Sequence, residues 1–304
     1  RRRPACSFVD IRQASRTVRH GRPGPVERGV HLKRRPAVSG LFYPSEPGRL
    51  RAQVEGYIRG SRLAPDPSVF GLVCPHAGYV YSGSVAGMAY ASAPDGIGTA
   101  VILAPCHRYP VRTVSVFGGE SYLTPIGEAV VDRAVVERLS SAGYDWIPPA
   151  HAAEHAEEVQ VPFIQTRWPD ASIVPVLIGA GDPDFCRVFA ADLSSALSGT
   201  NAVVIASSDL SHYHPLADAN AMDGILMDDF RRRDTAALAR HVADGSSEAC
   251  GAGPILTLLF YAEVESGGAF DAEIAGYSTS ASASGDATAV VGYMAGTVRR
   301  RTND

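Results

Sequence analysis

The stretch NAVVIASSDLSHYH, residues 201–214, runs through Ala, Val and Ile and then places Ser207, Ser208, Asp209, Ser211 and His212 within six positions. A continuous Val/Ile-rich run without polar alternation is the pattern of a strand buried on both faces of a parallel sheet. The polar cluster falls where that strand leaves the sheet. FGLVCP (70–75), TAVILAP (99–105) and ASIVPVLIG (171–179) read the same way. Helices are expected near 47–60, 84–93, 130–142, 182–198 and 217–242. This alternation predicts an α/β fold with a largely parallel central sheet flanked by helices. AFDAEIAGYSTS (269–280) and ATAVVGYMAGTV (287–298), around the loop ASASGD, read as two further strands antiparallel to the rest.

Ligands of open α/β sheets collect beyond the carboxyl ends of the strands, where loops leave for the helices. Three exits are PHAGYVYSG (75–83), APCHRYP (104–110) and SSDLSHYHP (207–215), and each delivers a histidine: His76, His107 and His212. Neutral imidazoles gathered at matching strand ends are a donor set for a transition metal. The competing reading takes Ser208 or Ser211 as a nucleophile with His212 as its base, but no G-x-S-x-G turn supports it.

Composition narrows the remaining classes. The 304 residues are 45% hydrophobic, enough for a sizeable core, and hold no run of eighteen apolar residues, so no membrane span is expected. Residues 1–35 carry eleven of the 28 Lys and Arg but only two of the 32 Asp and Glu. With no apolar period, residues 1–33 read as a basic, disordered leader and 34–304 as one domain. The acidic remainder contains no nucleic-acid-binding motif. Five scattered cysteines with no C-x-x-C pair fit a reducing, cytoplasmic compartment.

RPAVSGLFYP (35–44), PHAGYVYSG, APCHRYP, EHAEEVQVPF (154–163), PVLIGA (175–180), SSDLSHY and ACGAGPI (249–255) together resemble the Memo-like family, known also as AmmeMemoRadiSam system protein B. That family is similar to class III extradiol dioxygenases, and the resemblance spans roughly residues 34–298. It implies a dioxygenase-like fold and one transition metal, iron first with copper or zinc as alternatives, held by His76, His107 and Cys250. Cys250 would replace the relatives' carboxylate with a softer thiolate, which a helix beginning at CGAGP would stabilise. His212 matches the relatives' acid/base residue, and Asp209 would orient an imidazole or serve as an occasional ligand. Tyr79, Tyr81, Glu154, His155 and Glu158 are pocket candidates, the last three sharing one face if their segment is helical. Gln160 stands where many Memo-like sequences have His.

The resemblance implies a metal-dependent oxidoreductase acting on an unidentified small molecule, with a radical-SAM protein and a third companion as partners. Two alternatives remain: a non-catalytic protein that binds a peptide or partner in the same cleft, and a zinc-dependent hydrolase.

Overall fold

Four Val/Ile-rich runs become the centre of an eight-stranded sheet in the computed structural model, which describes residues 32–179 and 181–301. The elements, in chain order, are β1 (Lys33–Arg34), α1 (Pro47–Gly60), β2 (Val69–Cys74), α2 (Tyr79–Ser92), β3 (Thr99–Pro105), β4 (Val114–Val116), β5 (Ser121–Thr124) and β6 (Gly127–Val130). There follow α3 (Arg133–Ser141), α4 (Pro148–Ala152), a 3-10 turn (Glu158–Gln160), α5 (Val161–Arg167), β7 (Ser172–Ile178), α6 (Pro183–Leu197), β8 (Ala202–Ser207) and β9 (His212–His214). The last are α7 (Leu216–Arg232), α8 (Thr235–Asp244), α9 (Ala252–Ser266), β10 (Phe270–Thr279), α10 (Ala281–Ser284) and β11 (Val290–Arg300).

The sheet order is β10-β11-β2-β8-β3-β7-β4. The central strands β2, β8, β3 and β7 are parallel, with Val204 opposite Gly71 on one side and Val101 on the other. All six residues of β2 and all seven of β3 are buried, as their unbroken apolar sequence requires. The edges are antiparallel: β11 and β10 beyond β2, and β4 beyond β7. The sheet is therefore mixed, with its parallel part confined to the four strands that were legible as continuous runs.

Helices cover both faces. Leu258 of α9 sits against Gly71, and Phe230 of α7 against Gly296, on one face; Met88 of α2 packs on Gly276 from the other. The expected helix 217–242 is two helices, because Arg233 takes a left-handed conformation (φ 59°) and the Asp234 side chain caps α8 by accepting the Ala237 amide. The expected helix at 84–93 begins earlier, at Tyr79, where the Gly- and Tyr-rich sequence reads as loop. A second sheet, β1-β5-β6, was not expected, since strands of two to four residues carry no readable period. The leader lies, up to residue 31, outside the described residues. No helix among the described residues is long and apolar enough to cross a membrane.

β1 is tied to the site segment by a buried ion pair. Arg34 Nη1 donates to Glu158 Oε2 at 2.6 Å, while its Nε and Nη2 donate to the carbonyls of His151 and Glu154. Glu158 also accepts from the Tyr43 hydroxyl and the amides of Ala37 and Val38. Removing one member of such a pair strands the other without compensation. Arg34→Ala is expected to lower unfolding free energy by about 3–5 kcal/mol in urea titrations; a loss below about 1 kcal/mol would show that Tyr43 and the two amides suffice.

Candidate metal centre

His76 follows β2 by two residues and His107 follows β3 by two, so parallel strands of matched register bring both imidazoles to one edge of the sheet. Their ring centroids are 5.3 Å apart. Cys250 arrives on the loop before α9, and the ligand atoms of His76, His107 and Cys250 all lie within 4.8 Å of one another. Gly251 permits this approach: a Cβ there would stand 2.4 Å from the Ser207 carbonyl oxygen and 2.5 Å from the Ser208 Cβ. Three residues singled out from strand exits and resemblance thus converge.

The groups behind the donors set their chemistry. Glu154 is fully buried, and its Oε2 accepts the His107 amide at 2.6 Å while Oε1 accepts from His107 Nδ1 at 3.0 Å and the Ala156 amide at 2.9 Å. Burial alone would raise this carboxyl, but the hydrogen bonds from the neighbouring histidine rings and backbone amides prevail and hold it far below the usual carboxylate range. An ionised carboxylate only accepts, so the hydrogen resides on His107 Nδ1 and Nε2 presents its lone pair. His76 is held by burial, and by the nearby His155 and His107, well below the ordinary imidazole range, so it stays neutral. Its Nε2 is 3.1 Å from Cys250 Sγ.

Cys250 departs from expectation. It does precede α9, yet burial, reinforced by the Asp209 carboxylate, drives the thiol upward, against the Asp209 amide that donates to Sγ at 3.3 Å. Without a cation the sulfur is a thiol; the helix start does not make it a thiolate. Asp209 is itself raised by burial, while its Oδ1 accepts the His76 amide at 2.7 Å. It therefore anchors the His76 backbone. The His212 amide donates to Glu248 at 3.2 Å. His214 Nε2 lies 3.0 Å from Glu248 Oε1.

The other pocket candidates divide. His155 lies in the cluster, its ring 4.8 Å from that of His107, 5.5 Å from His76 and 5.0 Å from Phe42, with Nδ1 3.2 Å from Glu154 Oε1. Glu154 and His155 precede the 3-10 turn, so no continuous helix face joins them to Glu158, whose carboxylate is taken up by Arg34, Tyr43 and two amides. Tyr79 is buried, donating to the Val159 carbonyl at 2.6 Å, whereas Tyr81 is 44% exposed. Gln160 is buried behind His76, away from the ligand atoms, with Nε2 on Ser207.

Ser208 and Ser211 are fully buried, and Ser208 Oγ donates to the Asp209 carbonyl, which leaves neither placed as a nucleophile. A serine–histidine–carboxylate arrangement does exist elsewhere, built from residues that no motif singled out. Ser115 Oγ is 2.9 Å from His151 Nε2, and His151 Nδ1 is 3.0 Å from Glu157, to which Tyr122 also donates. All four residues are at most 1% exposed.

With the geometry in place, comparison settles the kinship. The Memo-like protein model matches residues 34–297. The chain belongs to the Memo-like family. It is 38% identical over 284 residues to a MEMO1 family protein of Desulfurococcus amylolyticus, covering 86% of this chain and 98% of that one. MEMO1 family proteins of Methanosarcina barkeri (36% over 265 residues) and Archaeoglobus fulgidus (37% over 262) each match 86% of this chain and 98% and 97% of their own. This family has the class III extradiol dioxygenase-like fold, and the helix-flanked central sheet is this Memo-like chain's form of it.

Glu154 supplies oxygen to three N–H donors, and a side-chain amide can offer only one oxygen. Glu154→Gln, nearly identical in shape, is expected to cost about 1–3 kcal/mol for each donor left unsatisfied, read by urea unfolding of metal-free protein. Unchanged stability would mean that the His107 orientation does not depend on the carboxylate.

Proposed function

We propose that this protein binds one transition-metal ion through His76, His107 and Cys250 and acts as an iron- or copper-dependent, dioxygenase-like oxidoreductase on a small molecule. The observation that carries the reading is the donor set: an imidazole Nε2 with its lone pair free, the same nitrogen of His76 beside a cysteine sulfur, and all three ligand atoms within 4.8 Å. Two nitrogens and a sulfur suit iron, copper or zinc and disfavour magnesium or calcium. When bound, the ion would supply Lewis-acid and redox chemistry to oxygen atoms of the substrate.

The protein's own part is binding and proton handling. His107 is held by Glu154, and Asp209 fixes the His76 main chain. His212, partly exposed on β9 at the same strand edge, is the residue for proton transfer near neutral pH. A second reading, partner binding in the same cleft, is favoured by one observation. Leu41, Val80 and Tyr213, close in sequence to Phe42, Tyr79 and His212, are 82%, 72% and 76% exposed.

Anaerobic purification followed by elemental analysis and oxygen-uptake assays with catechol-like compounds separates these readings. Iron with oxygen consumption supports the oxidoreductase, stoichiometric zinc without uptake a hydrolase, and no metal the partner-binding reading. His76→Ala and His107→Ala are expected to lose most of the metal after dialysis. His212→Ala is expected to keep it while turnover falls by about 10²–10⁴-fold; equal metal loss in all three variants would make His212 a ligand. Because burial keeps the Cys250 thiol protonated, metal uptake must expel that proton. Affinity should therefore rise with pH, about tenfold per unit, with about one proton released per ion in unbuffered titrations. A flat pH profile would remove Cys250 from the ligand set.

A further inference from the structure

We propose that Ser207 is a positioning residue, locked by Gln160, that decides which ring nitrogen of His76 carries the hydrogen and so leaves the Nε2 lone pair facing the pocket. The argument begins at the Gln160 side chain, which is fully buried. Its Nε2 is 3.0 Å from the Pro75 carbonyl oxygen, which can only accept, and its Oε1 is 3.0 Å from the Tyr90 hydroxyl. Those two partners fix the amide orientation by chemistry. The second hydrogen on Nε2 then points at Ser207 Oγ, 2.9 Å away.

Ser207 has one hydrogen and two lone pairs. Its Oγ is 2.7 Å from the Ala156 carbonyl oxygen, another pure acceptor, so the hydroxyl hydrogen goes there. One lone pair takes the Gln160 amide. The remaining lone pair faces His76 Nδ1 at 3.0 Å. That contact is a hydrogen bond only if Nδ1 is the donor, which places the ring hydrogen on Nδ1 and a lone pair on Nε2, the nitrogen 3.1 Å from Cys250 Sγ. His76 and Ser207 are buried with Gln160 and Tyr90, so reversing any link leaves a donor or acceptor unsatisfied.

The two histidines are thus preset by different chemistry, His107 by an anionic carboxylate and His76 by a neutral hydroxyl held in a saturated network. The consequence for metal affinity rests on the proposed metal-binding function, but the tautomer itself is readable without metal.

The experiment uses metal-free full-length protein with ¹⁵N-labelled histidine, the tautomer read from long-range proton–nitrogen spectra, and cobalt(II) and zinc affinities from competition with a chelating dye. Wild type is expected to show His76 as the Nδ1–H tautomer. Ser207→Ala should shift it toward Nε2–H and weaken metal binding by about 10–100-fold, the usual worth of a group that orients a ligand. Gln160→Met frees one Ser207 lone pair and should give a mixed tautomer with a smaller loss than Ser207→Ala. Near-wild-type circular dichroism and melting temperature establish that each variant is folded. The proposal is overturned if wild-type His76 is the Nε2–H tautomer, or if folded Ser207→Ala keeps both tautomer and affinity. It is equally overturned if Ser207→Ala does not fold and Gln160→Met leaves tautomer and affinity unchanged. An Nδ1–H tautomer that Ser207→Ala disturbs, in a protein that takes up neither cobalt nor zinc, would uphold this assignment while removing the metal-binding reading.

Discussion

Parallel strands must all release their chains at the same edge, and everything in the pocket hangs from that constraint. β2, β8 and β3 are neighbours in register, so Pro75–His76, Ser207–Asp209 and Cys106–His107 emerge side by side although they are distant in sequence. Backbone amides freed at that edge need acceptors. Asp209 takes the His76 amide and Glu154 the His107 amide, so the carboxylates that satisfy the strand ends also fix the imidazoles that follow them. The cost of leaving a buried amide unpaired is what makes the site rigid.

Burial settles the charge state in a way that local sequence cannot. The helix start next to Cys250 favours a thiolate by a modest dipole effect confined to its first turn, while removal from water and the facing Asp209 carboxylate act against the charged form and prevail. His76 stays neutral for the same reason of burial. Glu154 is the exception because its hydrogen-bond donors outweigh its desolvation. The pocket therefore sets a neutral imidazole and a protonated thiol against the carboxylates of Glu154 and Asp209, an environment in which a cation gains more than any further neutral group would.

The strands, His76, His107 and the position of His212 were legible because each rests on a continuous local run or a strand exit, whereas Cys250 was reached only through the family resemblance. What the sequence did not carry are the groups behind the donors, whose partners are far apart along the chain: Gln160 and Ser207 are 47 residues apart, His76 and Ser207 131. Glu158 illustrates the difficulty. Its spacing from Glu154 resembles a helix face, but a 3-10 turn and an arginine 124 residues away remove it from the pocket. The short strands β4, β5 and β6 escaped for a different reason, having too few residues to show a period.

The Ser115–His151–Glu157 cluster shows why distances alone do not assign chemistry. Its contacts have the connectivity of a hydrolytic triad, with Ser115 accepting the Ile147 amide and within hydrogen-bond reach of His151. A nucleophile must meet its substrate, and Ser115, the middle residue of β4, has no exposed surface, while the Phe117 ring packs against both Tyr122 and His151. Its hydrogen bonds instead tie the small sheet to α4, the segment whose far side Arg34 holds through the His151 carbonyl. The strand-edge cluster differs in access: His107 has 31% of its side chain exposed, and Cys250 and His212 are only partly buried. Of these two histidine networks among the described residues, the one at the carboxyl ends of the parallel strands keeps side chains open to solvent, at the edge where ligands of open α/β sheets collect.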